Sequence, residues 1–227
     1  MGRRDEMKPV HRLWNSILFK LIFSLGVILI LCVSIWAGVI VHYQRRQFTE
    51  GVVELADRFT NTIKLGTRYA MMLNSREDIT QIIQNIASQK EIEHIRIYNK
   101  AGQIKFSNRY TEVDLTTNIK TEACDVCHYT DPPRVSLNLD ERMRIFQSDT
   151  GERMLAIISP IYNEPGCAGD KCHVHPRDKT VLGALDVAIS LAQTDQKIFT
   201  LEKGITLFTL LVFLACFLYF GAVEFAF

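Results

Sequence analysis

Two long apolar runs frame this chain, and a polar stretch of mixed pattern lies between them. The first run extends from Leu21 to Val41 without a charged residue, and it exceeds the roughly 20 residues that a bilayer-spanning helix needs. The second run, Ile205 to Val223, is near the lower limit of spanning length. A buried core helix is the alternative for this run, but the run has no polar face. We therefore predict transmembrane helices over residues 21–43 and 204–223.

Basic residues around the first run predict its orientation. More of them precede the run than closely follow it: Arg3, Arg4, Lys8, Arg12 and Lys20 before, and Arg45 and Arg46 after. Because basic residues favour the cytoplasmic side, residues 1–20 are expected in the cytoplasm and residues 44–203 outside it. A cleaved signal peptide is the alternative, but the run is long for one and no convincing cleavage site follows. Residues 224–227 would then be a short end, with the output region in a longer protein or a partner.

The first pattern between the two runs is helical, from His42 to about Asn74. Apolar residues at three- and four-residue steps fall on one face: Phe48, Val52, Leu55, Phe59 and Ile63. This stripe predicts an outward continuation of the first helix that packs on the domain, alone or together with a dimer contact. Ser75 and Asp78 have the spacing of a helix N-cap. The helix that they begin has a predicted buried face of Ile79, Ile82, Ile83 and Ile86.

Alternation with a period of two then predicts strands. Residues 94–98 alternate, 99–102 form a turn and 104–106 resume, which is the pattern of a hairpin. Further strands are predicted over Met143–Gln147, Arg153–Tyr162 and Val181–Leu191. Helices followed by antiparallel strands indicate an α+β domain. The stretches 107–142 and 163–180 have little periodicity, and long irregular insertions of this kind are often functional.

Both irregular stretches contain a cysteine pair followed directly by histidine. The first has Cys124, Cys127 and His128, and the second has Cys167, Cys172 and His173. The remaining two of the six cysteines, Cys32 and Cys216, lie in the apolar runs and are expected to be small buried residues.

The first pair has the spacing of a c-type haem attachment site. Two thiols form thioethers with two vinyl groups, and the next residue presents its imidazole to the iron. Four residues separate the two cysteines of the second pair, and Gly169 gives the wider loop backbone freedom. This spacing is less specific for haem attachment. We therefore predict haem c at the first pair and favour a second haem at the other, with His128 and His173 as iron ligands.

Three other uses of the four thiols remain open. They could form disulfides, bind zinc or stay unreacted. Neither disulfides nor a four-cysteine zinc site explains why both pairs end in Cys-His. The predicted topology also favours haem, because cytochrome c maturation occurs outside the cytoplasm.

The sequence pattern does not single out the iron ligands opposite His128 and His173. His175 is the favoured candidate, and it could serve the haem of the other motif because its own tether is short. Other candidates are His42, His94, Met71, Met72, Met143 and Met154. A methionine on an apolar face is more often a core residue than a ligand.

Charge and composition narrow the function. The net charge of +1 gives no reason to expect a nucleic-acid partner. No serine, histidine and aspartate arrangement or acid pair demands an enzyme, although an open haem iron can reduce small molecules. The two remaining hypotheses are a sensory input protein and a membrane-anchored dihaem electron carrier with a redox partner.

The chain resembles the extracytoplasmic input domains of bacterial haem-containing sensors, namely histidine kinases and chemotaxis receptors with c-type haem in a PAS- or Cache-like fold. The resemblance covers about residues 15–223 and depends on the segments 95–102, 124–128, 159–176 and 182–187. It implies a sensor in the bacterial inner membrane with a periplasmic domain. It also implies a homodimer that responds to redox state or a small haem ligand through a cytoplasmic partner or an output region.

Overall fold

The computed structural model describes residues 17–118, 123–165, 175–176 and 178–226. The chain divides into two compact units, one of Met1–Phe48 with Gln196–Phe227 and one of Thr49–Asp195. The helices are α1 (Ile17–Met72), α2 (Arg76–Ala87), α3 (Asp125–His128), α4 (Leu139–Arg142) and α5 (Ala192–Ala226). The strands are β1 (Ile92–Asn99), β2 (Ile104–Ser107), β3 (Met143–Gln147), β4 (Arg153–Tyr162) and β5 (Val181–Ser190).

The first unit contains apolar parts of α1 and α5. Both helices are long and apolar enough to cross a membrane. In the most apolar 18-residue stretch of each helix, 6% of the residues are buried in α1 and 0% in α5. These side chains are therefore exposed on the surface of the protein. The expectation that Cys32 would be buried is wrong, because this thiol lies on the outward surface of α1. Cys216 is half-buried.

The second unit is built on a five-stranded antiparallel sheet with the order β2-β1-β5-β4-β3. This confirms the α+β class, and the five predicted strands match the observed strands to within about two residues at each end. The last strand, β5, lies at the centre of the sheet between β1 and β4. Residues of β5 are therefore in contact with a strand on each side, β1 on one and β4 on the other.

Helices α1 and α2 pack on one face of the sheet. Ile63 and Ile83 from the helices and Ile95 and Leu185 from the strands are almost completely buried there. Ser75 accepts a hydrogen bond from the Asp78 amide at 3.4 Å, which confirms the predicted N-cap of α2. The predicted buried face of α2 is also confirmed, fully for Ile79 and Ile83 and partly for Ile82 and Ile86.

The buried stripe of α1 differs from the predicted one. Leu55 is 67% exposed, Val52 and Phe59 are half-buried, and only Ile63 is fully buried. The stripe instead consists of Val53, Ala56, Thr60, Ile63, Thr67 and Ala70. Four of these six residues are alanine or threonine.

Two buried threonines explain why the pattern was misleading. The hydroxyl of Thr60 donates to the Ala56 carbonyl at 2.8 Å, and that of Thr67 donates to the Ile63 carbonyl at 2.9 Å. A buried hydroxyl is tolerated when it is hydrogen-bonded in this way. Positions 60 and 67 therefore belong to the core although their residue type looks polar.

Candidate functional site

The first cysteine pair and its histidine lie on a single helical turn. Cys124 precedes α3, and its carbonyl accepts hydrogen bonds from the amides of Cys127 and His128, both at 3.2 Å. Residues three and four positions apart in a helix share one side. Cys124, Cys127 and His128 all line one cavity, which we call the motif cavity and which has a volume of about 410 Å³.

The motif cavity lies on the face of the sheet opposite α1 and α2. Tyr98, Ile158 and Ala184 line it, whereas the neighbouring residues in each strand belong to the core beneath the helices. Its remaining walls are mostly apolar, and its lining includes three basic side chains and one acidic side chain. These further lining residues are Pro132, Pro133, Val135, Pro160 and Val181, with Lys100, Arg134, Lys179 and Asp178.

Hydrogen bonds hold the loop after the motif in place. The Arg134 amide donates to the Cys127 carbonyl at 2.9 Å. The Arg134 guanidinium donates to Glu141 at 2.7 Å and to the Tyr129 hydroxyl at 3.1 Å. The Tyr162 hydroxyl donates to the Val135 carbonyl at 2.8 Å, which fastens the loop to the end of β4. The motif turn is thus supported from the sheet.

Burial raises the pKa of the Cys127 thiol, although Arg134 acts in the opposite direction. The group is therefore a neutral thiol at neutral pH. Among the described residues, no disulfide joins two cysteines and no three histidine, cysteine or acidic side chains cluster as metal ligands.

A buried polar network lies on the same face of the sheet. Asp186 is fully buried, and it accepts a hydrogen bond from His94 at 3.0 Å and two from Arg144 at 2.8 and 2.9 Å. Burial alone would raise the pKa of Asp186, but the hydrogen bonds from His94 and Arg144 lower it to about 2. Asp186 is therefore a carboxylate throughout the neutral range.

Tyr98 lines the motif cavity on the same face of the sheet as Asp186. Burial raises the pKa of the Tyr98 phenol to about 12, and the charge of Asp186 adds to the effect. Its neighbour Arg96 donates two hydrogen bonds to Glu112, at 2.7 and 2.8 Å. The phenol therefore keeps its proton and is a neutral hydrogen-bonding group at the cavity wall.

The other sequence candidates lie in different places. Cys167, Cys172 and His173 are outside the described residues. His175 lines a second cavity and not the motif cavity. His94 is hydrogen-bonded to Asp186. Met143 packs against a cluster of buried core residues. Met154 is 2% exposed and lines neither cavity. His42 belongs to the first unit.

Sequence reasoning missed the roles of Asp186, Arg144 and Tyr98. One signal was present, because Asp186 is the one charged residue of β5 and shares its face of the strand with Ala184 and Ala188. A charged residue at such a position indicates a buried partner. The identity of that partner depends on the pairing of β5 with β1 and β4, which the sequence pattern alone does not specify.

Gly183 of β5 lies against the backbone of β1 and lines both cavities. A Cβ atom at this position would overlap with the backbone carbonyl oxygen of Tyr98. We expect Gly183→Ala to lower the free energy of unfolding by about 1–3 kcal/mol, since backbone must move to make space. Urea unfolding followed by circular dichroism measures this change.

Gly66→Ala is the matched control for that substitution. Gly66 lies in α1, and a Cβ atom there would meet nothing within 4 Å. It should stabilise the protein by about 0.5–1 kcal/mol, because alanine favours helix more than glycine does. Equal effects at the two positions would contradict the close approach at Gly183.

Comparison with known proteins assigns no family, since neither a family model nor a curated protein matches this chain. The functional inference therefore depends on the residues of the two cavities and on the chemistry that they permit.

Proposed function

We propose that this chain is a membrane-anchored c-type haem protein that acts as a sensory input domain. The observation that carries the proposal is the placement of Cys124, Cys127 and His128 on one turn lining one cavity. Two thiols and an imidazole in this order are the chemistry that covalent haem attachment uses. The second motif, Cys167, Cys172 and His173, is proposed to carry a second haem.

The residues of the motif cavity fit a porphyrin. Its volume of about 410 Å³ is in the range of cofactor sites, which are largely apolar with a few oriented polar groups. Proline, valine and isoleucine side chains suit the flat macrocycle. Lys100, Arg134 and Lys179 are suited to its carboxylate groups.

Each residue then has a distinct task. Cys124 and Cys127 anchor the group, and His128 ligates its iron. Tyr98 offers a protonated hydroxyl beside the cavity, and the Asp186 network fixes the strands behind it. When bound, haem supplies one-electron redox chemistry and, at an open iron position, binding of small gases.

The course of β5 supports a sensory role. Val181, Gly183 and Ala184 of this central strand line the motif cavity, and only Leu191 separates β5 from α5. A change at the cavity therefore acts on a strand that is joined almost directly to a helix of membrane-spanning length. The antiparallel sheet with a long N-terminal helix is compatible with a PAS- or Cache-like domain.

The proposed setting is the bacterial inner membrane, with the second unit in the periplasm and the N-terminus in the cytoplasm. A homodimer is proposed because Leu55, Leu65 and Tyr69 of α1 are each more than half exposed. A cytoplasmic signalling partner or output region would receive the signal.

A second candidate function is electron transfer to a redox partner. It is favoured by the arrangement of the cavities, because Tyr98, Asn99 and Gly183 line both of them. Groups bound in the two cavities would be separated by this shared wall.

Hydrogen exchange in the full chain in lipid nanodiscs separates the two functions. For a sensor, we expect reduction of the haem to change exchange in residues 181–195 by about tenfold, as a coupling free energy of 1–3 kcal/mol implies. Residues 76–87 of α2 are the internal reference. Unchanged exchange at 181–195, together with fast reoxidation by a soluble cytochrome, would contradict sensing and support the carrier.

A further inference from the structure

A second cavity of about 330 Å³ lies on the helix face of the sheet, and we call it the helix-face cavity. It is bounded by the end of α1, the start of α2 and the ends of several strands. Its apolar floor includes Met71, Met72, Ile79, Ile97, Phe106 and Ile161. The cysteine motif at residues 124–128 lines the motif cavity instead, so the haem proposed at that motif does not use this space.

Positive charge exceeds negative charge around the helix-face cavity. Among the described residues, one acidic side chain, Glu164, lines it against the basic side chains of Lys64, Arg68, Arg76 and Lys105. Arg68 forms an ion pair with Glu164, and Lys105 forms one with Asp114 at 2.7 Å. No carboxylate of the described part of the chain lies within 4.0 Å of the charged groups of Lys64 and Arg76. These two cations are therefore the groups that a bound anion would meet.

Lys64 is a half-buried cation whose hydrogen-bonding capacity is only partly used. Its ammonium group donates to the hydroxyl of Ser159 at 2.9 Å, and Ser159 is itself only 4% exposed. An ammonium group has three N–H donors, so two are left for other acceptors. Burial lowers the pKa of Lys64, and the nearby charge of Arg142 adds to the effect. A carboxylate beside this amine would offset both causes, because an opposite charge favours the charged form.

Arg76 presents a guanidinium group that an aromatic ring holds in position. Its guanidinium carbon lies over the ring of Phe106, 5.0 Å from the ring centre. This contact uses the flat face of the guanidinium and leaves the N–H groups at its edge available. Those N–H groups match the two oxygens of a carboxylate. Arg76 is the first residue of α2, so its backbone is fixed by the helix.

We propose that the helix-face cavity binds a small organic acid, with its apolar body on the floor and its carboxylate neutralised by Lys64 and Arg76. A neutral ligand would leave the two cations unmatched, and an inorganic anion would leave the apolar floor in water. The volume of about 330 Å³ is near the lower end of the range for ligand pockets, which indicates a body of about two rings. The inference does not depend on haem at either motif.

The test is calorimetric titration of the full chain in lipid nanodiscs with 2-naphthoate, which has two fused apolar rings and one carboxylate. Decanoate repeats the test with a flexible apolar body. 2-Naphthamide has the shape of 2-naphthoate without its charge, and empty nanodiscs measure partition into lipid. We expect saturable binding of one acid per chain, with 2-naphthoate bound about tenfold more tightly than 2-naphthamide, because hydrogen bonds to charged groups are the stronger ones.

Substitution of the two cations locates the bound carboxylate. Lys64→Met and Arg76→Gln should each weaken 2-naphthoate binding by about tenfold and change 2-naphthamide binding much less. Lys105→Met is the matched control in the same cavity. Because its charge is already paired with Asp114, we expect a change of only about twofold. Arg76 is exposed, so its substitution should preserve folding, and circular dichroism of each variant checks this.

Three results would overturn the inference. They are heats no larger than those of empty nanodiscs for both acids, equal affinities for 2-naphthoate and 2-naphthamide, and unchanged 2-naphthoate binding in both Lys64→Met and Arg76→Gln. Haem content measured on the same samples keeps the two proposals apart. A haem-loaded chain that binds neither acid would overturn the organic-acid site and leave the haem proposal intact, whereas a haem-free chain that binds 2-naphthoate would do the reverse.

Discussion

Replacing Cys124 and Cys127 together by serine is expected to remove one haem from each chain. Serine hydroxyls do not form thioethers with the vinyl groups, so the group is no longer covalently held. Half of the haem absorbance should be lost, and the mass of the intact chain should fall by one haem in addition to the change from the two substitutions. The measurements are intact mass and the absorbance of the pyridine complex.

The controls for this variant use the other cysteines. Cys167→Ser with Cys172→Ser should remove the other haem and leave that at Cys124 and Cys127. Cys32→Ser should change nothing, because this thiol lies on the outward surface of α1. A Cys124 and Cys127 double variant that keeps its full haem content would contradict the assignment of the first site.

Asp186→Asn is expected to have the largest effect on stability. The fully buried carboxylate accepts hydrogen bonds from His94 and Arg144, and an amide would turn a donor towards them. Removing one partner of a buried ion pair lowers the free energy of unfolding by about 3–5 kcal/mol. Urea unfolding followed by circular dichroism measures the loss.

Asp114→Asn is the matched control. Asp114 forms an ion pair with Lys105 at 2.7 Å, but this pair lies at the surface. Asparagine also tolerates the positive φ of 67° at this position. The control should leave stability essentially unchanged. Similar losses for both variants would contradict the special role of the Asp186 network.

The pH dependence gives an independent test of the same network. The pKa of Asp186 is lowered to about 2, whereas an aspartate in the unfolded chain has a pKa of about 3.9. Its stabilising contribution is therefore present above about pH 4 and is lost as the pH falls through about 2. The stability difference between the native protein and Asp186→Asn should shrink over that interval. A constant difference would contradict the lowered pKa.

Much of the fold could be predicted from the sequence because the local signals agree with the tertiary structure. Alternation and turn residues located β3 and β4, and Ser75 located the start of α2. The buried face of α1 was missed because Thr60 and Thr67 are polar by type but satisfy their hydroxyls within the helix. The strand order could not be predicted from local patterns either, since β5 pairs with strands distant in sequence.

The site could be predicted only where its chemistry is local in sequence. Cys124, Cys127 and His128 are adjacent, so their spacing alone indicated shared use. Tyr98 and Asp186 are far apart in the chain and reach the site through strand pairing. The separation of His175 from the motif cavity likewise depends on which face of the sheet each segment covers.

Intact mass combined with a pyridine haemochrome spectrum of the full chain is the most direct test of covalent haem attachment. The protein should be produced with a working cytochrome c maturation system and denatured before measurement. We predict a mass above that of the polypeptide by two haems, and a spectrum with the band position of thioether-linked haem. A colourless protein with the mass of the bare polypeptide would contradict the proposal.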